Sequence, residues 1–194
     1  MGDGAPLPEW YDDLEGFERA CWRMMARGVA DRRSPFHTPV LANVTSDGMP
    51  EARTLVLRGV EESERRLRFH SDLRASKITA LRDRPAVSVV FYDKASKLQI
   101  RARGSAMVHT IESQIGATAW ERTRSFSREC YRVFPDPGSS LDRADAYGHP
   151  EADDEGASAF CVISVAVTVV EALFLAAQGH RRARFGSDRC WLVP

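Results

Sequence analysis

The sequence predicts a mainly β fold: a small antiparallel β-barrel with helices on its outside. Three observations carry this. The middle of the chain reads as one short strand after another, and an Asp47-Gly48 pair between the first two is a strong hairpin signal. Lys97–His109 alternates cleanly, with Leu98, Ile100, Ala102, Ala106 and Val108 on one side and Lys97, Gln99, Arg101, Arg103 and His109 on the other. At 194 residues and 43% hydrophobic content, the chain has the size of one domain that builds a core without disulfides or metal. That domain is predicted to span 1–194, with 1–34 as an N-terminal helical arm.

In chain order, residues 12–27 form an amphipathic helix. Asp12 and Glu15 have capping-box spacing, Leu14, Phe17, Cys21 and Met24 make one stripe, and Gly28 is the stop. Val40–Thr45 and Glu51–Gly59 are the arms of the hairpin, and Arg65–Ser71 is a third strand. Asp72 is expected to cap a helix from Leu73 to Asp83, which Pro85 stops. Ala86–Tyr92 and Lys97–His109 are strands, and 111–133 is two short helices joined near Thr123–Phe126. Residues 135–157, rich in Pro, Gly and acids, form a long surface loop. Phe160–Leu175 is a long strand with Ile163, Val165, Val167 and Val169 on one face, a face that calls for cover from outside the chain. Arg181–Phe185 and Cys190–Val193 complete the sheet.

Composition narrows the function. The 27 basic and 27 acidic residues cancel, which argues against a nucleic-acid or anionic-membrane partner. The first 30 residues lack the pattern of a signal peptide, and the uncharged run Ala157–Val170 is too short to span a bilayer. Cys21, Cys130, Cys161 and Cys190 form no C-x-x-C pair, so free thiols and a cytoplasmic location are expected. There is no G-x-S-x-G, Walker loop, dinucleotide turn or H-E-x-x-H. The five histidines (37, 70, 109, 149 and 180) have no ligand spacing. His149 beside Glu151, Asp153, Asp154 and Glu155 reads as a solvated acidic loop, so no metal is expected.

The informative stretch is 53–77. Arg53-Thr54-Leu55-Val56-Leu57-Arg58 puts a guanidinium at each end of an apolar strand. Ten residues on, Phe69-His70-Ser71-Asp72-Leu73-Arg74-Ala75-Ser76-Lys77 runs a strand into a helix start. Free N–H groups, the positive helix end and three polar or basic side chains (Arg74, Ser76 and Lys77) make a phosphate seat. Arg53 and Arg58 are five apart and face opposite sides of a regular strand. Either a bulge reconciles them or they serve different groups.

With these motifs in that order, and L-Q-I-R-A-R-G at 98–104, the chain resembles the pyridoxamine 5′-phosphate oxidase-like flavoproteins, whose fold is an FMN-binding split barrel. The match is close over 38–109 and looser over 160–194, through His180–Phe185 and Trp191–Pro194. It looks nearest to a short subgroup known mainly as FMN-binding proteins. The resemblance implies that FMN is the cofactor and lies at the interface of an obligate homodimer. It implies that Arg53, Thr54, Leu55, Val56, Leu57 and Arg58 run along the flavin and its phosphate, and that His70 and Ser71 contact it. Ser76 and Lys77 match an Arg-Lys pair at the phosphate, with Arg74 substituting for the missing arginine. Gln99 matches a glutamine reaching the flavin from the second subunit, Arg124-Ser125 falls near a Gln-Ser pair, and Arg184 matches an arginine near the ring.

The substrate half departs from the family. Arg58 stands where the oxidases have Lys. Ser113-Gln114-Ile115-Gly116-Ala117 echoes the end of a Tyr-x3-Arg-x3-Ser helix, but Ser105 and His109 replace its Tyr and Arg. A closing Arg-x-His is reversed as His180-x-Arg182. Arg58, Ser113, His180 and Arg182 are therefore the expected substrate-binding set, and no catalytic side chain is assigned, since hydride transfer to flavin needs none. The sequence leaves three readings: an FMN-dependent oxidoreductase with an altered substrate site, a flavin-binding module without turnover, or a haem-binding relative using His70, His109 or His180.

Overall fold

The structure, a computed structural model, describes residues 6–149 and 156–194. Helix α1 (Leu14–Ala30) leads into strands β1 (Val40–Val44), β2 (Pro50–Thr54), β3 (Leu57–Glu61) and β4 (Arg66–Asp72). Helix α2 (Ser76–Asp83) follows, then β5 (Ala86–Asp93) and β6 (Leu98–Thr110). Two short helices, α3 (Gln114–Glu121) and α4 (Ser125–Arg128), precede β7 (Phe160–Phe174), β8 (Arg181–Phe185) and β9 (Arg189–Leu192). All described pairings are antiparallel, in the order β2-β1-β5-β6-β7-β4-β3, with β8 on β7 and β9 on β8.

The fold is mainly antiparallel β, as the strand pattern predicts, but its sheet is open: no described pairing joins β2 to β3 and closes a barrel. The predicted strand over 51–59 is two strands. Leu55 and Val56 leave the ladder, and the chain passes there from β2 at one end of the sheet to β3 at the other. The ends are joined by the chain, not by hydrogen bonds. Inside the curve lie Leu41, Leu67, Phe69, Phe91 and Ile100, all with no exposed surface.

Helix α1 closes one end of this core with Phe17, Cys21, Trp22 and Met25. Its N-cap is Asp13, not Asp12: the Asp13 carboxylate accepts the Glu15 N–H at 3.1 Å. Gly28 does not stop the helix, which runs on to Ala30. A side chain at 28 would come within 2.6 Å of the Phe36 carbonyl oxygen, so glycine is there for close packing. Asp72 does not cap α2 either. The helix starts at Ser76 after Ala75, and Asp72 accepts the Arg74 N–H at 2.9 Å.

Strand β7 organises the rest. Its first half pairs with β4, its second half pairs with β8 on the same edge, and β6 runs along the other edge. At the fork Thr168 is an extra residue, since Arg103 pairs with Val169 and Gly104 with Val167. The bulge shifts the buried set from Ile163, Val165 and Val167 to Val170, Ala172 and Phe174, so Val169 is not on the predicted face. Those side chains are covered within one chain, which removes the expectation that they need outside cover. Arg65 fills the fork. In the left-handed region (φ 49°), it accepts the Val167 N–H at 2.7 Å and pairs with buried Glu18 at 2.8 Å. Among the described residues no helix is long and apolar enough to cross a membrane, and all four cysteines are free.

Candidate functional site

Strand β4 divides the candidate site in two. Leu67, Phe69 and Ser71 point to the core side, while Arg66, Arg68, His70 and Asp72 point outward, as the two-residue period of a strand requires. His70 and Ser71 therefore serve opposite faces.

On the inner face, Lys77 in the first turn of α2 donates to Ser71 Oγ at 3.1 Å. Arg53 lies nearby on β2, where it pairs with Glu51 at 2.5 Å and donates to Asn43 Oδ1. Burial lowers the Lys77 pKa first, and the Arg53 guanidinium lowers it further. Lys77 has no carboxylate partner among the described residues, and the buried Asn43 amide nitrogen has no acceptor. A phosphate monoester fits this seat: it supplies the missing acceptor and charge and offsets the repulsion between Arg53 and Lys77.

On the outer face, Arg58 is itself an extra residue. Leu57 pairs with Phe69 and Gly59 with Arg68, so a bulge at Arg58 turns its side chain outward. Arg53 and Arg58 do serve opposite faces, as one of the two expected outcomes had it, but they do so from two different strands, with the break at Leu55 and Val56 between them. Arg58 and Arg68 face His70, whose pKa falls to about 4, mainly by burial and then through these two cations. Opposite them stand α3 and α4, anchored by an aromatic cluster. Trp120 and Tyr131 pack on Phe160 with centroids 5.2 and 5.1 Å away, and Phe160 meets His70 at 4.9 Å. The Tyr131 hydroxyl is pushed up to about 12 by burial. Between these walls lies a cavity of about 260 Å³, lined also by Arg32, Arg122 and Arg124. Sequence reasoning missed Arg68, which shares a strand face with His70 at a spacing of two. It also missed Trp120 and Tyr131, for which no local pattern exists.

The remaining expected residues are dispersed. Arg74 is occupied, donating to Asp72 (2.7 and 3.0 Å), Asp136 (3.1 Å) and the Val133 carbonyl (3.0 Å). Ser76 is exposed at the start of α2, while Thr54, Leu55 and Val56 lie at the β2–β3 break. Ser113 caps α3, accepting the Gly116 N–H at 3.1 Å. Ser105 and His109 lie on β6 and not on a helix, with His109 Nε2 2.8 Å from Ser164 Oγ. Arg124 and Ser125 open α4. Gln99 and Arg182 share a cavity of about 160 Å³ with Arg101 and Glu171. Burial acts to raise the Glu171 pKa, but hydrogen bonds from Arg182 (2.6 Å) and Arg101 outweigh it and lower it. Arg184 pairs with Asp188 at 2.5 Å, and His180 is exposed. Within one chain, these C-terminal residues are not part of the Lys77 seat or the Arg58 cavity. No three described His, Cys, Asp or Glu residues cluster as a metal site, and Glu151, Asp153, Asp154 and Glu155 lie outside the described residues.

Residues 19–110 match the family model described as pyridoxamine 5′-phosphate oxidase, FMN-binding domain. A pyridoxine/pyridoxamine 5′-phosphate oxidase of Thermobifida fusca is 31% identical over 176 residues, covering 75% of this chain and 74% of that protein. Pyridoxine/pyridoxamine 5′-phosphate oxidase 2 of Arabidopsis thaliana is 26% identical over 193 residues, covering 91% and 96%. Among solved structures, PhzG of Burkholderia lata 383 aligns over 100% of both chains with a TM-score of 0.71 at 19% identity. A pyridoxamine 5′-phosphate oxidase-related, FMN binding protein of Nostoc punctiforme aligns over 97% of this chain and 100% of that one, with a TM-score of 0.69 at 20% identity. The structures establish the shared fold. The sequence relatives and the family model go further: this chain belongs to the pyridoxamine 5′-phosphate oxidase-like family, and its cofactor is FMN.

Proposed function

We propose that the protein is an FMN-dependent oxidoreductase, working as a homodimer with FMN at the subunit interface, on a small anionic substrate other than pyridoxamine 5′-phosphate. The observation that carries this reading is the division of cations by β4, which provides one seat for the cofactor phosphate and a second cationic cavity beside it. Lys77, Ser71 and Arg53 would hold the phosphate. When bound, FMN supplies a hydride acceptor at N5. His70 is a neutral imidazole at physiological pH and Tyr131 a neutral phenol, so both offer hydrogen bonds without adding charge. Gln99 and the Arg101–Glu171–Arg182 group would complete the flavin site from the other subunit. Exposed Tyr92 and Met107 on β5 and β6 support an outer sheet face covered by a second copy.

A haem reading has less support, because His109 is taken by Ser164 and His70 sits against Phe160 with two cations beside it. The test is direct. The purified chain should be yellow, release FMN on denaturation, sediment as a dimer and be reduced by NAD(P)H or an amine donor. A colourless chain that takes up no FMN at micromolar concentration, or a monomer with full flavin occupancy, overturns the reading.

A further inference from the structure

We propose that the cavity between β3–β4 and α3–α4 is built for a small molecule carrying two anionic groups, one held on each wall. This deepens the proposed function, on which it rests for the occupant being the substrate. Arg32, Arg58, Arg122 and Arg124 line one cavity of about 260 Å³, and none of their side chains has a hydrogen bond or ion pair among the described residues. Arg68, the fifth, shares its charge with Glu61 at 2.6 Å. Among the described residues no carboxylate lines the cavity. Elsewhere most arginines have an acid partner, as Arg65 has Glu18 and both Arg101 and Arg182 have Glu171. Arg23, Arg82 and Arg103 also lack a partner among the described residues, but they lie apart on α1, α2 and β6, whereas these four share one cavity.

Their arrangement sets the ligand's charge. Arg58 comes from the strand wall and Arg122 and Arg124 from the helical wall, so a single anion at one wall leaves the other bare. Guanidinium forks favour planar or tetrahedral oxyanions with two acceptors each, that is carboxylates and phosphates. The volume lies below the roughly 300–1,000 Å³ usual for small-molecule sites, which suits a compact dianion. His70 between the walls stays uncharged, so it adds a donor or acceptor and does not compete for the anions.

The experiment uses the full-length, FMN-loaded chain and calorimetric titration with orthophosphate, pyrophosphate, acetate and succinate. Pyrophosphate should bind about tenfold or more tighter than orthophosphate, and succinate should exceed acetate similarly, the gain of at least one charge-assisted contact. Arg122→Ala/Arg124→Ala removes both exposed, unpaired side chains of the helical wall and should bring pyrophosphate to the orthophosphate level. Equal affinity for single and double anions in the wild-type chain overturns the proposal, as does a double variant that binds pyrophosphate like wild type. A chain that retains no FMN yet prefers pyrophosphate overturns the flavin reading alone and leaves the dianion site standing.

Discussion

On the inner face of β4, Lys77 meets Ser71, while Arg53 is already held by Glu51 and Asn43. On the outer face, Arg32, Arg58, Arg122 and Arg124 stand without acid partners among the described residues around an open cavity, and only Arg68 there is paired, with Glu61. The two seats draw on the same short stretch of chain and differ in how far the protein has satisfied them. A seat with fixed internal partners is preorganised for one group in one position. A seat of bare guanidinium groups leaves the choice of anion to what enters. The inner seat suits a resident cofactor, and the outer one suits a molecule that comes and goes.

The largest effect that would break this comparison concerns pyridoxamine 5′-phosphate. If the outer seat is rewritten, turnover should fall below the level of a dedicated oxidase. Loss of two charged contacts at roughly 1.5–3 kcal/mol each costs about 10²- to 10⁴-fold in kcat/KM. Pyridoxal phosphate formed at about 10⁴ M⁻¹s⁻¹ or more would show that the arginines replace the family's Tyr and Arg after all.

Next in size, Lys77→Ala should weaken FMN binding about 10- to 150-fold, from one charged contact of roughly 1.5–3 kcal/mol, with a much smaller loss for riboflavin. Fluorescence titration with both flavins checks it. Equal losses would place Lys77 in folding and not at a phosphate.

The outer face also has a pH signature. His70 titrates near 4 in the folded chain because burial, then Arg58 and Arg68, disfavour its charged form. The unfolded chain takes up that proton first, at about 6.5. Stability is therefore fully present above pH 6.5 and falls as pH drops towards 4, by on the order of 2 kcal/mol. Urea unfolding at pH 7 and pH 4.5 measures the fall, and His70→Asn should flatten it. An unchanged slope in that variant would assign the effect elsewhere, for instance to His109.

The smallest effect sharpens the boundary between the seats. Arg74→Ala should loosen the 131–136 segment, seen as faster amide exchange, and cost about 1 kcal/mol of stability, while FMN affinity stays. A loss of FMN affinity as large as that of Lys77→Ala would return Arg74 to the phosphate.

Alternation at 97–109, the Asp47-Gly48 turn and the strand-to-helix run at 69–77 are legible in the sequence because they are local patterns, and local patterns survive folding. The spacing of Arg53 and Arg58 points to two faces, which is the outcome, although the single strand it assumes is broken between them. What the sequence hides depends on bulges. The extra residue at Arg58 aims that side chain, and the one at Thr168 reverses the face of β7 beyond it, and neither leaves a compositional mark. The wall of Trp120, Tyr131 and Phe160 is hidden for another reason: its members are brought together only when α3 and α4 fold back onto the start of β7. Arg74 shows the converse, a motif position whose charge is claimed by long-range partners.

A strand that counts by twos does not tolerate a change of one, and Thr168 is where β7 absorbs that change. β6 runs on without interruption beside it, with Gly104 paired to Val167, Arg103 to Val169 and Ala102 to Val170. Deleting Thr168 would therefore take out the bulge and leave those pairs in place, with Glu171 still opposite Arg101. Adding a second residue there has no such outlet: it would turn the strand over beyond it, unless a wider bulge formed. One threonine is a spare count in the reading frame of the C-terminal third of the sheet.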